Sequence, residues 1–248
     1  MTSFLLPLGK FGLFVGAVAL RVATPPWNLA DLWSHTWKLG LRCIGPVSAV
    51  TLPFGMVMAL QGLAIFDLFG VQRLLSPLVV NIVIRELSPV MASVLVAAQG
   101  GSAFAAELGA MRIKEELDAT EVMAVDALRW HVVPRVLALM IATPVLEISG
   151  AAVGILGGYV MAVLVQGEPE GTYVGNLWVL SVPIDVYGGV IKAVVYGAMI
   201  GLISCYHGFF VTGGAAGVGR GVNDTVVQSV LAIFAANYLL SSLFRGLG

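Results

Sequence analysis

Between Glu86 and Glu107 the chain reads LSPVMASVLVAAQGGSAFAA, residues 87–106, which is twenty residues without a charged side chain. An α-helix rises about 1.5 Å per residue, so about 20 apolar residues cross the roughly 30 Å hydrocarbon core of a bilayer. Transmembrane barrels show instead a series of about ten-residue strands of alternating polarity. This long unbroken block therefore predicts a membrane-spanning helix.

The same pattern recurs along the chain and predicts five such helices. Charge-free runs also follow Arg42, Glu147, Lys192 and Asp224. With their apolar flanks they predict spans at about 43–66, 80–103, 136–165, 186–207 and 225–244. We therefore expect an all-α integral membrane protein forming a single domain over 1–248, with an N-terminal segment at 1–42 and a transmembrane core at 43–245.

The composition excludes several other classes of protein. Hydrophobic residues make up 58% and charged residues 11% of the chain, and the mean hydropathy is +0.95. Soluble domains are about half apolar and a quarter charged, so an ordinary soluble enzyme and a disordered chain are both excluded. Two cysteines are too few for a disulfide-built secreted domain, and a net charge of −1 argues against electrostatic binding of nucleic acid.

The basic residues predict an orientation in the membrane. Nine of the thirteen fall on one side of the five predicted spans: Lys10, Arg21, Lys38, Arg42, Arg112, Lys114, Arg129, Arg135 and Arg220. Loops rich in Lys and Arg stay in the cytoplasm. This rule predicts a cytoplasmic N-terminus and a periplasmic C-terminus. Five spans are also few for a closed pathway, which suggests a dimer.

Residues 1–42 predict a helix along the inner membrane surface rather than a further span. Their apolar stretch, 11–20, is too short to cross a bilayer, and Trp27, Trp33 and Trp37 follow it. Tryptophan prefers the headgroup zone. The alternative is a cleaved signal peptide, because the small residues at 17–19 resemble a cleavage site.

Small residues four apart predict where the spans pack together. One row is Gly150, Gly154 and Gly158, and another is Ala193, Gly197 and Gly201. Such spacing lets two helix backbones approach closely in lipid. We interpret both rows as packing faces rather than ligand sites.

Four charged residues fall within the predicted spans. A charge in hydrocarbon is costly, so each should face a partner or water. Arg85, Glu86 and Lys192 all lie toward the outer side and are predicted to form one network. The network either locks two helices together or serves as a polar gate or headgroup contact in a transport pathway. Glu147 has no obvious basic neighbour.

The connection between the second and third spans is acidic. From Glu107 to Asp126 it holds six acids and two bases. Its residues suit a helix, in which Arg112 and Glu116, and Lys114 and Asp118, are spaced for i, i+4 pairs. A helix that binds the anionic inner leaflet should be basic, so a protein partner fits this segment better than lipid. The alternative is a solvated helix that only joins two spans.

No catalytic or metal-binding pattern is present in the sequence. None of the four lysines stands in a GxxxxGK[ST] phosphate-binding loop, and the glycines from Gly213 to Gly221 do not form GxGxxG. The three histidines and two cysteines are scattered. We therefore expect no catalytic residues, no metal site and no enzymatic activity in this chain alone.

Six short motifs resemble one known family over about residues 40–245. They are RELSPV at 85–90, AELGAMR at 106–112, ELDA at 116–119, EVMAVD at 121–126, VPR at 133–135 and GVGR at 217–220. Together they resemble the MlaE permease family, the YrbE-type membrane subunits of Mla and Mce lipid-transporting ABC systems.

The resemblance implies a function that hydropathy does not. It implies a homodimer in the bacterial inner membrane with two cytoplasmic ATPase subunits and a periplasmic MCE-domain lipid-binding protein. ATP and Mg would bind in the ATPase, leaving this chain without a cofactor. The segment between the second and third spans would contain the helix that couples to the ATPase, with the candidate residues Glu107, Leu108, Gly109, Met111, Arg112, Glu115, Glu116 and Asp118.

Two other classes of function are alternatives. One is an ion-coupled secondary transporter, although such folds usually show inverted repeats and none is detectable here. The other is a membrane scaffold for lipid-binding partners.

Overall fold

The computed structural model describes residues 2–24, 27–179 and 183–245, and these residues form helices and connecting turns with no strand. The α-helices are α1 (Thr2–Ala23), α2 (Leu29–Phe69), α3 (Leu75–Ile82), α4 (Ser88–Val96), α5 (Ser102–Ile113), α6 (Glu116–Val122), α7 (Val133–Tyr159), α8 (Glu170–Asn176), α9 (Pro183–Phe209) and α10 (Gly214–Arg245). Wider π-helical turns at Val83–Leu87, Ala97–Gly101, Leu128–Val132 and Val160–Val165 extend or join them.

Five helical stretches are long and apolar enough to cross a membrane. They are Leu29–Phe69, Gln72–Ile113, Leu128–Val165, Asp185–Phe209 and Gly214–Leu243. This confirms the predicted all-α membrane fold and its five spans, preceded by a separate N-terminal helix, α1.

The first span begins earlier than the sequence predicted. Asn28 caps α2 by accepting the backbone N–H of Asp31, and the 41-residue helix then continues through the expected boundary at residue 42. Arg42 precedes a charge-free run but does not mark the start of the helix. A helix of this length measures about 60 Å, twice the hydrocarbon thickness, so it reaches well beyond the apolar core of a bilayer.

The third span is the centre of the packing, and α7 lies against α2, α4 and α9. A side chain at Gly157 would overlap the Leu52 carbonyl of α2. One at Gly154 would lie 3.1 Å from Val83 in the second span, and one at Gly201 would lie 3.0 Å from Val136 of α7. Both predicted rows of small residues are therefore packing faces.

Candidate functional site

A buried lysine joins three spans near one end of the bundle. The Lys192 side chain of α9 is 4% exposed, and its Nζ lies 3.1 Å from Oε1 of Glu86 in the second span. The same ammonium donates to the Arg85 carbonyl and to Oγ of Ser241 in α10, each at 2.8 Å. The predicted contact between Lys192 and Glu86 is therefore present, and its ammonium has three oxygen partners.

Neutral residues of α10 complete the shell around the Glu86 carboxylate. Asn237 donates to it at 3.2 Å and Ser241 at 3.0 Å, while Tyr196 donates to the Asn237 side chain at 2.8 Å. These three residues were not predicted, because they carry no charge. The available signal was the spacing of Asn237 and Ser241, which places two polar side chains on one face of an apolar helix.

The Arg85 side chain forms a second ion pair, while its backbone carbonyl joins the predicted network with Glu86 and Lys192. Its Nε lies 3.4 Å from Oδ1 of Asp185, whose side chain is 6% exposed. Asp185 lies one residue before the predicted fourth span at 186–207 and so was not among the predicted intramembrane charges. Asp185 stands seven residues before Lys192, which is about two turns, so both charges lie on one face of α9.

The π-helical turn at Val83–Leu87 provides one member of each ion pair, Arg85 and Glu86, from adjacent positions. Such turns insert an extra residue into a helix and often occur at functional sites. The side chains of Arg85 and Glu86 are 41% and 44% exposed, whereas Asp185 and Lys192 are buried. Each pair thus has one enclosed member and one member open at the surface of the single chain.

Glu147 of α7 is buried close to these pairs. The residue is 2% exposed, its Oε2 has no hydrogen-bond partner, and a side chain at Gly189 of α9 would lie 3.1 Å from its Oε1. Within the described part of the chain, no lysine or arginine forms an ion pair with it. Its surroundings in the single chain are therefore protein rather than water.

The acidic connection between the second and third spans is not one helix. Helix α5 ends at Ile113, Glu115 adopts a left-handed conformation with φ of 60°, and α6 begins at Glu116. The predicted i, i+4 pairs are therefore wrong. Arg112 lies 2.5 Å from Asp118 instead, and Lys114 lies 3.9 Å from Glu116, because the turn changes the spacing along the helix.

The candidate coupling residues divide into buried and exposed groups. Leu108 is fully buried, Gly109 packs against Val218, and Glu107 pairs with Arg135 at 3.4 Å. Met111 and Arg112 are half-buried, whereas Glu115, Glu116 and Asp118 are exposed. Leu108 and Gly109 therefore support the segment from inside and do not present a surface to a partner.

The exposed apolar residues of this connection lie further along the chain. Val122 is 87% exposed, Met123 69% and Val125 39%. Together with Glu121 they form the loop surface, residues 121–125. Val122 and Met123 belong to the EVMAVD motif at 121–126 but were not among the predicted coupling residues.

The chain is similar to known membrane permeases over most of its length. The family model described as Permease MlaE matches residues 32–243. A "Probable ABC transporter permease protein" of Rickettsia bellii is 35% identical over 96% of this chain and 92% of its own length.

Two further relatives are also about one-third identical to this chain. The "Intermembrane phospholipid transport system permease protein MlaE" of Haemophilus influenzae is 31% identical over 96% of this chain and 90% of its own length. The chloroplastic protein TRIGALACTOSYLDIACYLGLYCEROL 1 of Arabidopsis thaliana is 32% identical over 94% of this chain and 66% of its own length.

Proposed function

Because the chain belongs to the MlaE family of ABC transporter permeases, we propose that it moves phospholipid or a related lipid between the inner and outer membranes, powered by a separate ATPase. The observation that carries this proposal is the similarity to the Haemophilus influenzae relative, which is named for intermembrane phospholipid transport. We further propose that the chain forms a homodimer in the bacterial inner membrane, with its N-terminus in the cytoplasm and its C-terminus in the periplasm. A periplasmic MCE-domain protein is the proposed partner on that side.

The loop surface is the proposed contact with the ATPase. Large apolar side chains such as Val122 and Met123 are exposed here beside acidic residues. An exposed apolar patch favours a protein partner, and an acidic segment is repelled by anionic lipid headgroups. ATP and Mg would bind in that partner, and this chain would provide neither a cofactor site nor catalytic residues.

The charged pairs are the proposed contact with the lipid headgroup. Arg85 and Glu86 keep an open side while Asp185 and Lys192 hold them from within the protein. The guanidinium of Arg85 has the geometry to bind a phosphate group, because it presents several N–H donors in one plane. A charged side chain held in place within the membrane-spanning helices can bind a polar headgroup that must cross an otherwise apolar region of the protein.

Copurification tests the ATPase contact. Val122→Asp and Met123→Asp each place a charge on the loop surface without altering a buried residue, and we expect both to lose the ATPase. Val174→Asp is the matched control, because Val174 is 49% exposed in α8, away from this loop. Recovery of the ATPase at the unmodified level with both loop variants would overturn the proposed contact.

A further inference from the structure

The N-terminal helix α1 is joined to the loop by two reciprocal polar contacts. Arg21 of α1 lies 2.6 Å from Oδ2 of Asp126, one residue beyond the loop surface. In the opposite direction, Arg129 donates to the Thr24 carbonyl just after α1 and to the Thr24 hydroxyl at 3.0 Å. A cation is favourable at a helix C-terminus because the carbonyls there carry partial negative charge. We call these two contacts the α1 clamp.

Asp126 connects α1 to the third span as well. Its other carboxylate oxygen accepts the backbone N–H groups of Leu128, at 3.1 Å, and Arg129, at 3.3 Å. Partial burial opposes ionisation of this carboxyl, but the hydrogen bonds from Arg21 and from these two amides outweigh it and lower its pKa. One carboxylate therefore fixes α1 against the start of the third span.

Apolar contacts reinforce the attachment. Phe14 and Val18 of α1 are 4% and 1% exposed. They share a core cluster with Leu117 of α6 and with Val132 and Val133 at the start of the third span. Helix α1 therefore packs against the start of the third span and shares one apolar core with α6, which precedes the loop surface along the chain.

The chain between the loop surface and the clamp is a tight turn. Ala124 has a left-handed conformation with φ of 59°, and the backbone N–H groups of Ala124 and Val125 donate to the carbonyls of Glu121 and Thr120. Only two residues, Ala124 and Val125, separate Met123 from Asp126. A displacement of the loop surface is therefore passed to the clamp without a flexible linker to absorb it.

We propose that α1 is part of the coupling machinery, and that Arg21 and Asp126 are positioning residues that hold the loop surface in the orientation the ATPase needs. This inference rests on the proposed function of the loop surface. The alternative is that α1 only attaches the chain to the membrane surface, in which case the polar contacts contribute to stability alone.

The test is a double-mutant cycle with Arg21→Met and Asp126→Asn in the purified permease–ATPase complex. Asparagine retains an oxygen that can accept the two backbone N–H groups, so the start of the third span keeps its cap. Lys10→Met is the matched control, because Lys10 is an exposed base on the same helix. The measurements are lipid moved per ATP hydrolysed and thermal stability in detergent.

We expect each single variant to lower the lipid moved per ATP by about two- to fivefold, the scale of a partly exposed ion pair. The double variant should be no worse than either single one, because both remove the same contact. An unchanged ratio in both singles, matching Lys10→Met, would overturn the proposal, and so would a ratio that falls only in step with thermal stability. Failure of the proposed ATPase contact would give a different result from failure of this inference, because the Val122→Asp variant would then still copurify with the ATPase.

Discussion

Lys192 and Glu86 form an ion pair in which the two partners are unequally buried, with side chains that are 4% and 44% exposed. This asymmetry predicts which half of the pair is costly to remove. Glu86→Gln leaves the enclosed ammonium of Lys192 without its counter-charge, and orphaned buried charges cost on the order of 3–5 kcal/mol. Lys192→Met leaves a half-exposed carboxylate that still accepts from Asn237 and Ser241, so the loss should be smaller.

Thermal stability in detergent, measured over the double-mutant cycle, checks this order. We expect Glu86→Gln to destabilise more than Lys192→Met, and the double variant to be milder than the sum of the two. Strict additivity would reject the pair, because independent sites add.

The close approach of α2 and α7 gives a second prediction. Gly157→Ala should destabilise the protein by about 1–3 kcal/mol, because its new methyl group overlaps the Leu52 backbone rather than a movable side chain. Gly175→Ala is the matched control, since open space surrounds that glycine. Equal melting temperatures for the two variants would contradict the packing described for the first and third spans.

Acid should loosen the α1 clamp. The folded pKa of Asp126 is lowered, so its contribution is present above the unfolded value of about 3.9 and is lost as pH falls through the folded pKa. Arg21 on α1 contacts this carboxylate through its guanidinium, whereas Arg129 reaches it only through its backbone N–H. After correction for intrinsic exchange rates, the protection of α1 amides from hydrogen exchange should fall below about pH 4 more steeply in the unmodified protein than in Asp126→Asn, and parallel pH curves would contradict the linkage.

The orientation can be tested by thiol labelling in a background without Cys43 and Cys205, both of which are buried. Gly171→Cys in α8 and Glu121→Cys on the loop surface both introduce thiols at exposed positions. An impermeant maleimide should label the first in intact spheroplasts and the second only after permeabilisation. The opposite pattern would reverse the proposed topology.

The sequence predicted those features that depend on local composition. Charge-free runs identified the spans because hydrocarbon excludes charge, and the cost of burying Lys192 indicated that it needs a partner such as Glu86. The rows of small residues that begin at Gly150 and Ala193 were also predictable, because only small residues permit close helix contact.

Features set by three-dimensional context could not be predicted. The left-handed conformation of Glu115 has no strong local signal, because glutamate rarely adopts it, and it changed the pairing of Arg112. The burial of Leu108 depends on contacts with elements far along the chain. The Arg21–Asp126 contact joins residues 105 positions apart, and nothing in local spacing indicates such a pair.

Reconstituted lipid transport tests the central claim most directly. Proteoliposomes containing the purified permease and its ATPase would be loaded with labelled phospholipid and incubated with an MCE-domain acceptor protein. We predict transfer that requires ATP, is lost with Val122→Asp and is retained with Val174→Asp. Transfer of the same extent by this chain alone under an ion gradient, with no need for ATP or the ATPase, would contradict the account and indicate a secondary transporter.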